Sequence, residues 1–173
     1  MLKLKTINTE NLKDILGYCK QCLYWQTTDA DKKTPENQTI MAKQKWLLRV
    51  QKALGVSGYI AYEDETPVGF IQIASPEHLP RLKEYTNATP SRDAVFLACL
   101  YIPQKENRAK GFGTKMLQKL ITDLKQRGFK AVETFARKSS AENPSGPLSF
   151  YLKNGFKITH DDPDFPLVRL ELR

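Results

Sequence analysis

Arg108-Ala109-Lys110-Gly111-Phe112-Gly113-Thr114 combines a guanidinium, two glycines and the start of an amphipathic run. It follows a nearly all-apolar, strand-like stretch at 95–102. A strand, a glycine turn and a helix N-terminus together make a cradle for phosphate, because free N–H groups and the helix dipole both favour an anion. The glycines remove side chains where backbone must approach that anion. Arg108 and Lys110 add charge at the rim. The chemistry implied is capture of a pyrophosphate-bearing molecule.

Spacing separates the patterns that bind such molecules. A Walker loop needs four residues between its first glycine and a Gly-Lys-Ser/Thr. Gly113-Thr114-Lys115 has the wrong order. The dinucleotide fingerprint Gly-x-Gly-x-x-Gly fits at Gly111 and Gly113, but Met116 stands where the third small residue belongs. Glu133 lies about the right distance onward to hold a ribose, yet falls in mid-strand.

A third pattern matches. The chain resembles the GCN5-related N-acetyltransferase (GNAT) superfamily, whose loop is Arg/Gln-x-x-Gly-x-Gly/Ala, at Arg108-Ala-Lys-Gly111-Phe-Gly113. Ser149-Phe-Tyr151-Leu-Lys-Asn-Gly155-Phe156 is similar to that family's later Tyr-containing segment and lies the expected distance downstream. The resemblance implies acetyl-CoA as cosubstrate, with no metal. It implies that Arg108, Ala109, Lys110, Gly111, Phe112, Gly113 and Thr114 hold the pyrophosphate. It implies that Leu100, Tyr101 and Ile102 pair with the pantetheine, on a strand splayed from its parallel neighbour. Tyr151 matches the family tyrosine that protonates the leaving thiolate, and it touches the cofactor. An ordinary phenol stays protonated at neutral pH, which suits that role. Asn143 either contacts the pantetheine amide or caps a helix. The expected reaction is acetyl transfer to a primary amine of a small molecule or peptide, by direct attack in a ternary complex. The alternatives are a non-catalytic acyl-CoA sensor and a basic nucleic-acid-associated module.

The sequence departs from the family pattern in three places. The spacings from Ile102 to Arg108 and from Asn143 to Tyr151 are each about one residue long. The strand at 95–100 also offers no glutamate, which some members use as base. Asp93 and Glu133 are the available carboxylates; bulk solvent is the other proton acceptor. The acceptor side is expected near Tyr24, Trp25 and the segment 75–93. There Glu77, Glu84 and Asp93 either hold a cationic amine or are solvated loop charges. Trp46 either joins an aromatic wall or belongs to the core.

Around these residues the expected elements run in order. A strand opens the chain, with Leu2, Leu4 and Ile7 alternating with lysines. A helix is expected from Thr9 to about Leu23, and a second over 36–54 with Met41, Trp46, Leu47, Val50 and Leu54 on its apolar stripe. A hairpin turns at 64–67, and a long irregular segment spans 75–93. The strand at 95–102 leads to the helix after the glycines, which Gly128 caps. A strand at 131–136, a short helix ending at 154–155 and two closing strands complete a mixed α/β domain. The sheet is mostly antiparallel, with about seven strands, helices on both faces and one parallel pair.

The 173 residues suit a single domain, 1–173. No apolar run approaches the ~20 residues of a membrane span, and the N-terminus lacks a secretory apolar region. Three cysteines, Cys19, Cys22 and Cys99, suit a reducing compartment. The expectation is a cytoplasmic protein without a membrane partner; a homodimer is compatible with all of this. The net charge of +8 favours anionic partners. The lysines are scattered, without the basic-aromatic repeat of single-strand binders, so nucleic acid is disfavoured. Cys19-x-x-Cys22 lacks the second ligand pair of a structural zinc site.

Overall fold

The computed structural model describes residues 1–28, 34–108, 110–139 and 146–173. Asp64 and Glu65 adopt positive φ, 49° and 65°. They form a two-residue turn between β2 (Gly58–Glu63) and β3 (Thr66–Ala74). Two left-handed residues twist such a turn to match its strands. The turn is shorter than expected, and Pro67 belongs to β3. Its missing N–H is tolerated because β4 (Ala94–Tyr101) pairs with β3 only from Phe70 onward.

The remaining strands are β1 (Leu2–Thr6), β5 (Ala131–Phe135), β6 (Lys157–His160) and β7 (Leu167–Glu171). One sheet holds all seven in the order β1-β2-β3-β4-β5-β7-β6. Every pairing is antiparallel except β4 with β5. The mixed, seven-stranded sheet agrees with the sequence reading.

The helices are α1 (Glu36–Leu54), α2 (Lys105–Arg108), α3 (Phe112–Gln126) and α4 (Leu148–Lys153). Met116, Leu117, Leu120 and Leu124 of α3 pack with Tyr151 of α4 against one face of the sheet. Trp46, Leu47 and Val50 of α1 pack against the other face. Helical spacing of apolar residues drives both contacts. Gly128, at φ +80°, follows the end of α3 as a left-handed cap. No helix among the described residues is long and apolar enough to cross a membrane.

Two expectations are corrected. Residues 9–23 form two short 3-10 turns, Leu12–Asp14 and Gly17–Lys20, instead of a helix. The Asn8 side chain accepts from the N–H groups of Glu10 and Asn11, and Asn11 accepts from Asn8. These local bonds compete with helical ones, and Gly17 then breaks the path at φ +46°. Leu12, Ile15 and Cys19 are buried all the same. Met41 is exposed rather than part of the α1 stripe.

Gly58 marks the tightest approach within the sheet. A Cβ there would stand 2.2 Å from the Ile71 carbonyl oxygen, an atom held by the ladder. Gly58→Ala is expected to cost about 1–3 kcal/mol or more, as overpacking does. Urea denaturation reads this directly, and an unchanged midpoint would contradict the contact.

Candidate active site

The parallel strands separate. β4 and β5 pair at only three positions, ending with Phe96 opposite Glu133. The Thr134 hydroxyl donates to the Leu97 carbonyl at 2.8 Å and closes the crotch. Beyond it, Leu100 and Tyr101 keep β3 on one edge and have no strand on the other among the described residues. Ile102 lies just past the strand end and is buried. An unpaired strand edge of this kind takes an extended, amide-bearing chain.

The glycine turn stands at the open end of β4. Gly111 adopts φ +71° and α3 begins at Phe112. The N–H groups of Phe112, Gly113 and Thr114 donate to no backbone carbonyl among the described residues. Three donors with no backbone partner among the described residues, at the N-terminus of a 15-residue helix, fit an anion. A Cβ on Gly113 would lie 3.5 Å from the Phe150 ring and 3.9 Å from Ile102. The turn is therefore backed by α4. Arg108 folds back, its Nε donating to the Ile102 carbonyl at 2.8 Å, and so holds the turn against the end of β4. Lys110 Nζ lies 3.6 Å from the Glu63 carboxylate. Ala109 lies outside the described residues.

Tyr151 reaches the splay from the other side. The Arg137 N–H donates to the Gly146 carbonyl and the Leu148 N–H to the Arg137 carbonyl, both at 2.9 Å. The continuation of β5 thereby fixes the start of α4. Gly146, at φ +72°, leaves room where its Cβ would stand 3.4 Å from the Tyr151 hydroxyl. Phe150 and Phe156 pack edge-on against the Tyr151 ring. Tyr151 is 1% exposed. Burial pushes its phenol well above the ordinary value. Cys99 of β4 also acts on it electrostatically. The phenol is thus held protonated in the core, beside Gly146. Asn143 lies outside the described residues.

The candidate carboxylates collect elsewhere. Glu133, 2% exposed, accepts from the Ser91 N–H and hydroxyl at 2.7 and 3.0 Å and from Arg169 at 2.9 Å. Asp93 takes both terminal nitrogens of Arg169, at 3.1 and 3.2 Å. This cluster sits where β4 and β5 are paired, and Asp93 precedes the first β4 residue. Seven strand rises separate that end from Tyr101, roughly 23 Å.

The rings near the expected acceptor side pack together on the face of the sheet that α1 covers. Trp25 is buried, stacks on Tyr85 at 5.4 Å and meets Phe96 edge-on. Tyr85 stacks on Phe135 at 4.6 Å and meets Phe165. Tyr24 is 44% exposed and its hydroxyl lies 2.8 Å from that of Tyr85. Trp46 belongs to the core and donates to the His78 carbonyl at 2.9 Å. Glu77 is exposed, 3.9 Å from His78. Glu84 is held by Arg81 at 2.9 Å. Sequence reasoning missed Tyr85, Phe135, Phe165, Arg81 and Arg137. They come from three separate segments, and only the fold brings them together.

Behind the wall lies a buried lysine. Lys43 donates to the Cys22 carbonyl at 2.8 Å. Burial lowers its affinity for the proton, and Cys19, Cys22 and Cys99 act against that shift. All three cysteines are free.

The sequence matches the profile of the Acetyltransferase (GNAT) family over residues 16–156. Solved structures share the fold. PaiA N-acetyltransferase from Thermoplasma acidophilum, in complex with coenzyme A, is 19% identical, with a TM-score of 0.63 over 99% of both chains. An N-acetyltransferase from Staphylococcus aureus Mu50 is 18% identical, with a TM-score of 0.65 over 100% of this chain and 99% of that one. YncA, a putative acetyltransferase from Salmonella typhimurium with its cofactor acetyl-CoA, is 12% identical, with a TM-score of 0.62 over 99% and 94%. No curated protein sequence matches the chain. The splayed strand pair, the free N–H turn and a family match over most of the chain agree, and the protein belongs to the GNAT family of acetyltransferases.

Proposed function

We propose that the protein moves an acetyl group from acetyl-CoA to a primary amine of a small molecule or peptide, by direct attack in a ternary complex. The observation that supports this reading is the open edge of β4 beyond its three pairings with β5, which runs out at the glycine turn before α3. The N–H groups of Phe112, Gly113 and Thr114 receive the pyrophosphate, and Arg108 and Lys110 add charge nearby. Leu100, Tyr101 and Ile102 offer the backbone edge that pairs with the pantetheine. A main-chain N–H there polarises the thioester carbonyl. As the amine nitrogen bonds to the acyl carbon, the carbon–sulfur bond breaks and Tyr151 gives its proton to the sulfur. The proton of the amine leaves to solvent, since Asp93 and Glu133 are bound to Arg169. The whole chain, 1–173, serves as the acetyltransferase domain.

An amine-panel screen reading free thiol release from acetyl-CoA tests this. Binding of acetyl-CoA with no turnover of any amine would replace it with the sensor reading. Gly113→Glu is expected to weaken acetyl-CoA binding at least about tenfold, because a carboxylate enters the anion cradle. Calorimetric titration measures it; retained affinity would sink the cradle.

A further inference from the structure

We propose that the acceptor amine carries a carboxylate, and that Arg137 anchors it. This rests on the acetyl-transfer reading and names its substrate class.

Charge around the acceptor wall is lopsided. Two of the three carboxylates expected to greet a cationic amine are engaged by arginine, and the third, Glu77, is exposed 3.9 Å from His78. Arg81 holds Glu84, and Arg169 holds Asp93. On the far side of the wall, Lys138 holds Asp161, and Asp162 accepts the N–H groups of Asp164 and Phe165. The arginines are not matched in the same way. Arg137 donates only to the Ser139 hydroxyl, at 3.2 Å, and has no carboxylate within 4 Å among the described residues. Among the described residues, the second terminal nitrogen of Arg81 and the side-chain nitrogen of Gln26 are buried without an acceptor, and the Gln26 side-chain oxygen is buried without a donor. An anion therefore finds free donors here in Arg137 and the second terminal nitrogen of Arg81.

Arg137 is also well placed. Its main chain ties the end of β5 to the start of α4, the helix that carries Tyr151. Its guanidinium lies over the Phe165 ring, 5.0 Å from the centroid. Phe165 joins Tyr85, and Tyr85 joins Trp25 and Phe135. Stacking holds the guanidinium plane and leaves its edge for a bidentate carboxylate. One residue thus connects the reaction centre to the wall. Arg81 lies over Tyr24 at 4.5 Å, with its charge paired to Glu84. The whole-chain charge of +8 draws an anionic acceptor and repels a diamine.

The test assays wild type, Arg137→Gln and Arg137→Lys with acetyl-CoA against matched pairs: amino acids and dipeptides, each with its C-terminal amide, and diamines. Acetyl-CoA binding is followed by calorimetry. Wild type is expected to favour acids over amides by at least about tenfold in kcat/KM, the scale of a hydrogen bond to a charged group. Arg137→Gln is expected to abolish that preference through KM for the acid, and Arg137→Lys to restore part of it. Both variants keep the main-chain bonds at 137, so the fold has no reason to fail. Equal use of acid and amide by wild type, preference for diamines, or an Arg137→Gln loss of the same size on both members of a pair overturns the assignment. Turnover confined to neutral or cationic amines overturns this assignment alone. Absence of thiol release with every amine, with acetyl-CoA still bound, overturns the acetyl-transfer reading and this assignment with it.

Discussion

Tyr151→Phe is expected to lower kcat for acetyl transfer by about 100-fold or more, the usual contribution of a positioned general acid. The ring stays in place, since Phe150 and Phe156 pack against its edges and the whole side chain lies in the core. Affinity for acetyl-CoA should therefore change little. Burial raises the wild-type phenol, so it remains protonated at neutral pH and contributes no basic limb to the rate profile there. A leaving-group test separates chemistry from packing. With an acetyl thioester of a more acidic thiol the sulfur needs no proton, and the Tyr151→Phe defect should shrink. A defect that stays the same size with both thioesters would make Tyr151 a packing residue.

Arg169→Met is expected to destabilise the fold by about 3–5 kcal/mol, the cost of leaving a buried partner charge unpaired. Glu133 would keep only the two Ser91 donors in a site 2% exposed. The double variant Arg169→Met with Glu133→Gln should recover much of the loss, because the two residues share one network. Denaturant titration of the four proteins closes this cycle; additive losses would deny the coupling. The pH response has a definite sign. Arg169 holds the carboxyls of Asp93 and Glu171 below their ordinary values. Such groups stabilise the fold above the ordinary carboxylate pKa, and the contribution fades as pH falls through the depressed values. Arg169→Met should lack that part of the acid-side decline. Its kcat should remain near wild type, since the cluster lies at the paired end of the strands.

Much of this was legible in the chain itself. Helix α1 spans the residues expected of it, and α3 follows its apolar stripe to Gly128. Helical periodicity over 15 or more residues is a strong signal because each turn repeats it. Residues 9–23 carried a weaker version, and the side chains of Asn8 and Asn11 outbid it locally. Met41 fitted the α1 stripe by spacing, yet no partner element reaches it, and it stays in solvent.

Sequence by itself determined the glycine turn and the start of α3, because a left-handed glycine and a helix stripe are local chemistry, written in consecutive residues. It also placed Tyr151, since the two motifs carry their own spacing. The tertiary structure decided what surrounds them. It sent Asp93 and Glu133 to Arg169, and it gathered Trp25, Tyr85, Phe135, Phe165 and Arg137 from distant segments into one wall. Ion pairing and ring stacking depend on which chain segments lie within a few ångströms, and that distance is set by the sheet order rather than by neighbours in sequence.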